Sequence, residues 1–298
     1  MKISRITINA GIGRPTRLLH IADTHLALAN AHDSKRRREL AARRQREFET
    51  DWHHDETLRG RDEPGCCIRY LDEAIAYAGS HCDLLLYGGD LIDFMSEGNF
   101  DFVQRRLAGI DWLFTPGNHE YSTYIFEEFT DLDEPGYRER GEHRLGEIFG
   151  DKLDFSARQL NGLNLIALDN ANFQFTATQL EQLKHEAEKS LPILLLVHVP
   201  LFAPEMFQYI TRGLKIPCAY CAGVPEELMV GLYPQSCRAE QTPTPETLAV
   251  IDFLRHARVA AVLAGHQHFG FTSALWPGVM QYTVPGGYTG HANEYTVI

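Results

Sequence analysis

The stretch DWLFTPGNHE, residues 111–120, joins an apolar run to a group of polar side chains. The run Trp112-Leu113-Phe114 is typical of a buried β-strand, whereas asparagine and histidine are poor strand residues. Gly117, just before them, lets the backbone turn tightly. We therefore interpret this stretch as a strand that ends and presents Asn118 and His119 to a site.

The same pattern recurs in four other parts of the chain, where strand-like runs at 17–21, 83–87, 193–197 and 259–263 each lead into polar residues. Those residues are Asp23, His25, Asp90, Asp93, His198, His266 and His268. A further apolar run at 163–168 and helix-like segments at 68–79, 178–190 and 245–257 complete an alternation of strand and helix. This alternation predicts an α/β fold with at least partly parallel sheets, whose ligand sites lie at the carboxyl ends of the strands.

These polar residues have the chemistry of a metal site. Carboxylate, imidazole and amide ligands suit divalent Mn, Fe, Zn or Ni, and no cysteine is among them. Seven of these nine residues are candidate ligands, namely all except Asp93 and His119. Seven ligands are too many for one ion, but they fit two ions that share a carboxylate and lie about 3.5–4 Å apart.

Composition and charge limit the other possibilities. The chain has 298 residues, of which 44% are apolar and 23% charged, as in a globular protein. The N-terminal residues lack the apolar core of a signal peptide, so we expect a cytoplasmic protein with no membrane association. A formal net charge of −12 makes duplex nucleic acid an unlikely partner. We expect the six cysteines to be free thiols; Cys218, Cys221 and Cys237 are too few for a structural zinc site.

The five polar blocks, taken in order, resemble those of the calcineurin-like metallophosphoesterases, from residue 18 to about 290. The resemblance implies a four-layer αββα sandwich of two mixed β-sheets flanked by helices. It also implies that two ions share Asp90. One ion would be held with Asp23, His25 and His268, and the other with Asn118, His198 and His266.

The resemblance further implies a mechanism in which a hydroxide between the ions attacks phosphorus. His119 would then donate a proton to the leaving oxygen, and Asp93 would orient His119. An alternative for Asp93 is a turn or helix-capping residue.

Departures from related subfamilies narrow the substrate. The arginine that follows the second block in protein Ser/Thr phosphatases is absent, since Phe94 and Met95 follow Asp93 here. The tyrosine that purple acid phosphatases carry at position 93 is absent too. We therefore favour small phosphodiesters or nucleotides as substrates. The alternatives are a phosphomonoesterase and, less favoured, a DNA nuclease or a non-catalytic metal-binding scaffold.

We predict one domain over residues 1–298, with insertions at about 27–65 and 202–244. The first is rich in arginine, with Leu40, Phe48 and Trp52 spaced as on one helical face. It is either a solvated helix packed on the domain or a lid whose arginines attract an anionic substrate. His53 and His54 are assigned to its surface. The second is predicted to be a long loop, and the aromatic residues that could stack on a base there are Phe207, Tyr209, Tyr220 and Tyr233.

Overall fold

Two β-sheets form the centre of the protein, as seen in a computed structural model that describes residues 1–51, 66–122, 137–149 and 153–298. The strands are β1 Lys2–Ile8, β2 Thr16–Ile21, β3 Leu84–Tyr87, β4 Trp112–Phe114, β5 Phe155–Leu160, β6 Leu163–Leu168, β7 Ile193–Leu196, β8 Val259–Ala264, β9 Phe271–Trp276, β10 Val279–Thr283 and β11 His291–Val297. The six strands predicted from apolar runs are all present, each within one residue of the predicted ends.

Both sheets are mixed. The first has the order β1-β11-β2-β3-β4, and β2, β3 and β4 run parallel. The second has the order β5-β6-β7-β8-β10-β9, and β6, β7, β8 and β10 run parallel. Among the C-terminal strands, β10 pairs parallel with β8 and antiparallel with β9, and β11 pairs parallel with β1 and antiparallel with β2.

Helices cover the outer faces of the two sheets. The described parts of the chain contain α1 Lys35–Arg46, α2 Cys66–His81, α3 Glu97–Arg106, α4 Tyr137–Phe149, α5 Ala177–Ala187, α6 Pro204–Gln208, α7 Glu226–Met229, α8 Gln235–Gln241 and α9 Pro245–His256. Helix α5 begins with a capping box, in which the Thr176 side chain accepts from the Gln179 backbone N–H and the Gln179 side chain accepts from the Thr176 backbone N–H.

Strand residues of alternate parity face different apolar layers, because side chains in a strand alternate between faces. Leu84 and Leu86 of β3 pack with Leu194 and Leu196 of β7 between the sheets. Their neighbours face outward, where Leu85 of β3 packs with α2 and α3, and Leu195 of β7 packs with α5 and α9. The result is the predicted αββα sandwich. The single-domain organisation of residues 1–298 stays a prediction, with support from this shared inner layer.

The second insertion differs from its predicted structure, whereas the first contains a helix as its residue spacing indicated. Residues 202–244 contain α6, α7 and α8 with an apolar cluster of their own, rather than an irregular loop. In the first insertion, α1 continues into a π-helix at Glu47–Asp51, and its buried face includes Arg37 and Arg44 as well as Leu40. Trp52, His53 and His54 lie outside the described residues. Among the described helices, none has both the length and the apolar character required to traverse a bilayer.

Candidate metal centre

The carboxyl ends of strands from both sheets meet at one edge of the sandwich. There the Asp23 amide donates to the Gly89 carbonyl (2.8 Å), which joins the ends of β2 and β3. The Gly265 amide donates to the His198 carbonyl (3.0 Å), which joins the ends of β8 and β7. The His266 amide donates to Asp23 Oδ1 (3.0 Å) and so connects the two sheets. All nine polar residues predicted from the five strand ends are brought together at this edge.

Asp23, His25, Asp90 and His268 form one group of possible ligands, with their ligand atoms all within 4.8 Å of one another. The Nε2 atoms of His25 and His268 are 3.0 Å apart. His268 Nε2 is 3.5 Å from Asp23 Oδ1, and His25 Nε2 is 3.7 Å from Asp90 Oδ2.

Asp90, His198 and His266 form a second group with the same spacing limit. His198 Nε2 lies 3.2 Å from Asp90 Oδ2 and 3.2 Å from Asn118 Oδ1. His266 Nδ1 lies 3.1 Å from the same His198 nitrogen. Asp90 therefore belongs to both groups, as a shared carboxylate between two ions must.

The hydrogen bonds of the histidines fit metal ligation. His25 Nδ1 lies 3.1 Å from Asp93 Oδ1, and His198 Nδ1 lies 2.7 Å from the Gly88 carbonyl. A carboxylate and a carbonyl can only accept, so these Nδ1 atoms carry protons, and each ring would offer the lone pair of its Nε2 to a bound metal. Each of these Nε2 atoms faces a further ring nitrogen at 3.0–3.1 Å. Facing imidazole nitrogens at this spacing could both coordinate a divalent ion.

His119 lies beside the two groups, and Asp93 lies behind it. His119 Nδ1 is 2.7 Å from the Asp93 carbonyl and 3.2 Å from Asp93 Oδ1, and 18% of its side chain is exposed. Burial disfavours the charged ring, but the carboxylates of Asp90 and Asp93 outweigh it and raise the pKa of His119 to about 10. Burial also opposes ionisation of Asp93, yet hydrogen bonds from His119, His25 and Arg44 hold its pKa well below the usual range. His119 is therefore charged near neutral pH and able to donate a proton.

Glu120 has a structural role that the sequence analysis did not assign. Its fully buried carboxylate accepts four backbone N–H groups. Oε2 accepts from Asp90 (2.8 Å) and Gly117 (2.6 Å), and Oε1 accepts from Leu91 (2.7 Å) and Ile92 (3.1 Å). The loops that carry Asp90 and Asn118 are therefore held by one side chain. Its position next to His119 in the third block was the available signal.

Several of the possible ligands have a left-handed backbone, which is costly for residues other than glycine. The φ angles are 56° for Asp23, 49° for His25, 55° for Asp90, 67° for His266 and 57° for His268. Hydrogen bonds of the surrounding loops maintain this conformation, as in the donation from the His25 amide to the Asp90 carbonyl at 2.9 Å.

The cysteines and most of the aromatic residues named in the sequence have partners elsewhere in the protein. All six cysteines are free thiols, with Cys218 Sγ 3.2 Å from Gln241 Oε1 and Cys221 Sγ 3.8 Å from Met206 Sδ. Of the aromatic residues in 202–244, Phe207 and Tyr233 are buried against each other and Tyr209 packs on Phe271.

Tyr220 is the aromatic residue of the 202–244 insertion that lies beside a possible ligand. Its ring centroid is 6.1 Å from that of His266, and the centroid of Phe173 is 5.5 Å from the same ring. Tyr220 is 38% exposed. Its main-chain carbonyl accepts a hydrogen bond from Gln267 Nε2 at 2.8 Å, which ties this part of the insertion to the loop between His266 and His268.

Comparisons with known proteins agree with this geometry. A family model described as calcineurin-like phosphoesterase matches residues 16–270. No curated protein sequence gives a significant match. Among solved structures, the chain is similar to a purple acid phosphatase from yellow lupin (Lupinus luteus) seeds, with 13% identity and a TM-score of 0.50 over 92% of this chain and 44% of that one. It is also similar to a dimetal phosphatase from Danio rerio, with 14% identity and a TM-score of 0.47 over 92% of this chain and 88% of that one. At such low identity the lupin structure bears on the fold alone, and nothing is concluded from the one with the lower TM-score.

Proposed function

The chain belongs to the calcineurin-like phosphoesterase family, and from this premise we propose that it is a metal-dependent hydrolase of phosphoesters, with small phosphodiesters or nucleotides as its favoured substrates. We assign one ion to Asp23, His25, Asp90 and His268, and the other to Asp90, Asn118, His198 and His266. When bound, such ions supply Lewis-acid stabilisation of the phosphate oxygens and activation of a water nucleophile. The donor set fits Mn, Fe, Zn or Ni.

The protein side chains supply the proton and the alignment. His119 is the general acid, because its Nδ1 is engaged by Asp93 and its partly exposed ring lies next to the ligand Asn118. It donates a proton to the leaving oxygen as the P–O bond breaks, which typically contributes 10²–10⁴-fold to the rate. Asp93 holds the ring, and Glu120 holds the loops that carry Asp90 and Asn118.

The observation that favours a diester is that the buried arginines of α1 are bonded to acceptors within the protein. Arg44 is bonded to Asp93, and Arg37 Nη1 donates to the Met95 carbonyl at 3.0 Å. Both guanidinium groups are therefore engaged by acceptors of the protein, and Phe94 and Met95 themselves are fully buried. A monoester dianion gains most from a forked guanidinium, whereas a singly charged diester depends less on one. A nucleobase or aryl group would lie against the exposed ring of Tyr220, beside Phe173.

The six free thiols suit a reducing compartment, and we propose the cytoplasm on that ground.

The test compares bis-p-nitrophenyl phosphate with p-nitrophenyl phosphate, using metal-stripped protein refilled with Mn. We expect metal-dependent turnover that favours the diester. His119→Ala should abolish most of the turnover of diesters with poor leaving groups, while His143→Ala, an exposed histidine on α4, should leave it unchanged. Preference for the monoester would assign a phosphatase instead. If neither substrate is turned over by protein with two metals bound, the proposal that the chain is a phosphoester hydrolase is refuted.

A further inference from the structure

Arg44, in the last turn of α1, reaches into the site from the arginine-rich insertion. Its Nε donates to Asp93 Oδ2 at 2.8 Å and its Nη2 donates to Asp93 Oδ1 at 3.1 Å. The Arg44 side chain is 3% exposed and that of Asp93 is fully buried. This is a forked, charge-assisted pair that defines the plane of the carboxylate as well as its position.

The guanidinium of Arg44 is held on its other sides too. Nη1 donates to Glu47 Oε2 at 2.7 Å, and the group lies over the ring of Phe48 at 4.7 Å. Arg44, Glu47 and Phe48 follow at i, i+3 and i+4, so they share one helical face. Phe48 in turn stacks on His25, with ring centroids 4.4 Å apart and planes 10° apart. Through Phe48, this face therefore packs against the proposed metal ligand His25.

Asp93 divides its carboxylate among three donors. Oδ1 receives the Arg44 Nη2 bond and lies 3.1 Å from His25 Nδ1 and 3.2 Å from His119 Nδ1. A rotation of this carboxylate would move Oδ1 away from both imidazoles and leave His119 Nδ1 held only by its 2.7 Å contact with the Asp93 main-chain carbonyl. The Arg44 fork opposes that rotation, because it grips both oxygens at once.

We propose that Arg44 is a positioning residue, which holds Asp93 in the orientation that directs His119 toward the leaving oxygen. This inference rests on the proposed function. It also gives the arginine-rich insertion a role other than the two that the sequence suggested. One of its arginines acts on the reaction from behind Asp93, rather than by attracting substrate from solution.

A purely structural role would leave different traces from a positioning role. If Arg44 only anchors α1, its replacement should lower kcat by the same factor for all substrates. That factor should also multiply the one caused by replacing His119. If Arg44 acts through His119, its loss should be felt most when the leaving group needs a proton. Arg37 is the matched control, because it is a buried arginine on the same helix that bonds to the Met95 carbonyl instead of Asp93.

The experiment measures kcat for Mn-loaded wild type, Arg44→Ala, Arg44→Lys and Arg37→Ala on bis(aryl) phosphates with progressively poorer leaving groups. For diphenyl phosphate we expect Arg44→Ala to lose about 10–100-fold, with a smaller loss for bis-p-nitrophenyl phosphate. Arg44→Lys keeps the charge but cannot form the fork, so it should recover only part of the loss. The ratio of kcat for Arg37→Ala to kcat for wild type should be the same for every substrate in the series. In a His119→Ala background, Arg44→Ala should cost little more.

A second readout does not depend on turnover. In metal-stripped protein labelled with ¹⁵N-histidine, the hydrogen-bonded Nδ1 proton of His119 should give a downfield signal that Arg44→Ala shifts or abolishes and Arg37→Ala retains. Equal losses across the leaving groups, full additivity with His119→Ala, or an unchanged His119 signal would each overturn the proposal. If wild type with bound metals hydrolyses none of the diesters, the proposed function fails, and the proton signal still decides whether Arg44 positions His119.

Discussion

Replacing Glu120 with glutamine should destabilise the protein far more than the loss of one charge would suggest. The carboxylate accepts two backbone N–H groups on each oxygen. Glutamine keeps one oxygen, and its NH₂ group would face the other two N–H groups. Two buried donors are then left without an acceptor, at about 1–3 kcal/mol each, so we expect a loss of about 2–6 kcal/mol. For a chain of 298 residues this corresponds to a Tm lower by about 3–10 °C.

The assay for Glu120→Gln is urea unfolding of metal-stripped protein, so that changes in metal binding do not contribute. Burial, and after it the charge of Asp90, raises the pKa of Glu120 to about 7, so the measurement is made above that pH, where wild type carries the carboxylate. The control is Glu181→Gln on α5, an exposed glutamate paired only with Lys184 among the interactions described for it, which should change stability by less than about 0.5 kcal/mol. A Glu120→Gln variant as stable as this control would refute the view that the four N–H groups depend on the carboxylate.

Three other perturbations test the site and its surroundings. Burial lowers the pKa of His20 to about 3 from an unfolded value of about 6.5, so its neutral form favours folding above pH 6.5 and that contribution falls as the pH drops toward 3. His20→Phe should reduce the slope of unfolding free energy against pH by about 1.4 kcal/mol per unit between these values, measured by urea unfolding, and an unchanged slope would contradict this. Gly117→Ala would place a methyl group against Asp90 Oδ1 and should weaken Mn binding about 10–100-fold by calorimetry, whereas Gly13→Ala, with open space around it, should not. Mn at one hundred times its Kd should stabilise the stripped protein by about 2.7 kcal/mol for each ion bound in urea unfolding, equally in His119→Ala, and no shift would argue against the metal centre.

The strand ends were predictable because each polar block is contiguous with an apolar run. His198 directly follows Val197, and His266 follows the β8 run after a single glycine, so local sequence alone places them at the edge of the second sheet. Parallel pairing then brings such ends together without any knowledge of the loops.

Features that depend on distant partners were not predictable in this way. Strand β1 is half-exposed and pairs with β11 near the other end of the chain, so its own residues carry little apolar signal. From the sequence alone, Arg37 and Arg44 are expected to be solvent-exposed, because arginine is rarely buried. Their acceptors, the Met95 carbonyl and Asp93, lie some 50 residues away, and the spacing of seven that places both on one face is visible only once Leu40 is known to be buried.

The left-handed backbone of Asp23, His25, Asp90, His266 and His268 sets a limit on how this protein can be improved. Each position would be more relaxed with glycine, which adopts such angles without steric cost. In metal-free protein, selection for thermal resistance alone would therefore favour glycine at the residues proposed to hold the metals, at the expense of activity. In a library screened only for heat tolerance, stabilising but inactivating substitutions should accumulate at this edge of the sandwich. A screen that is meant to preserve activity must therefore measure turnover in the same round.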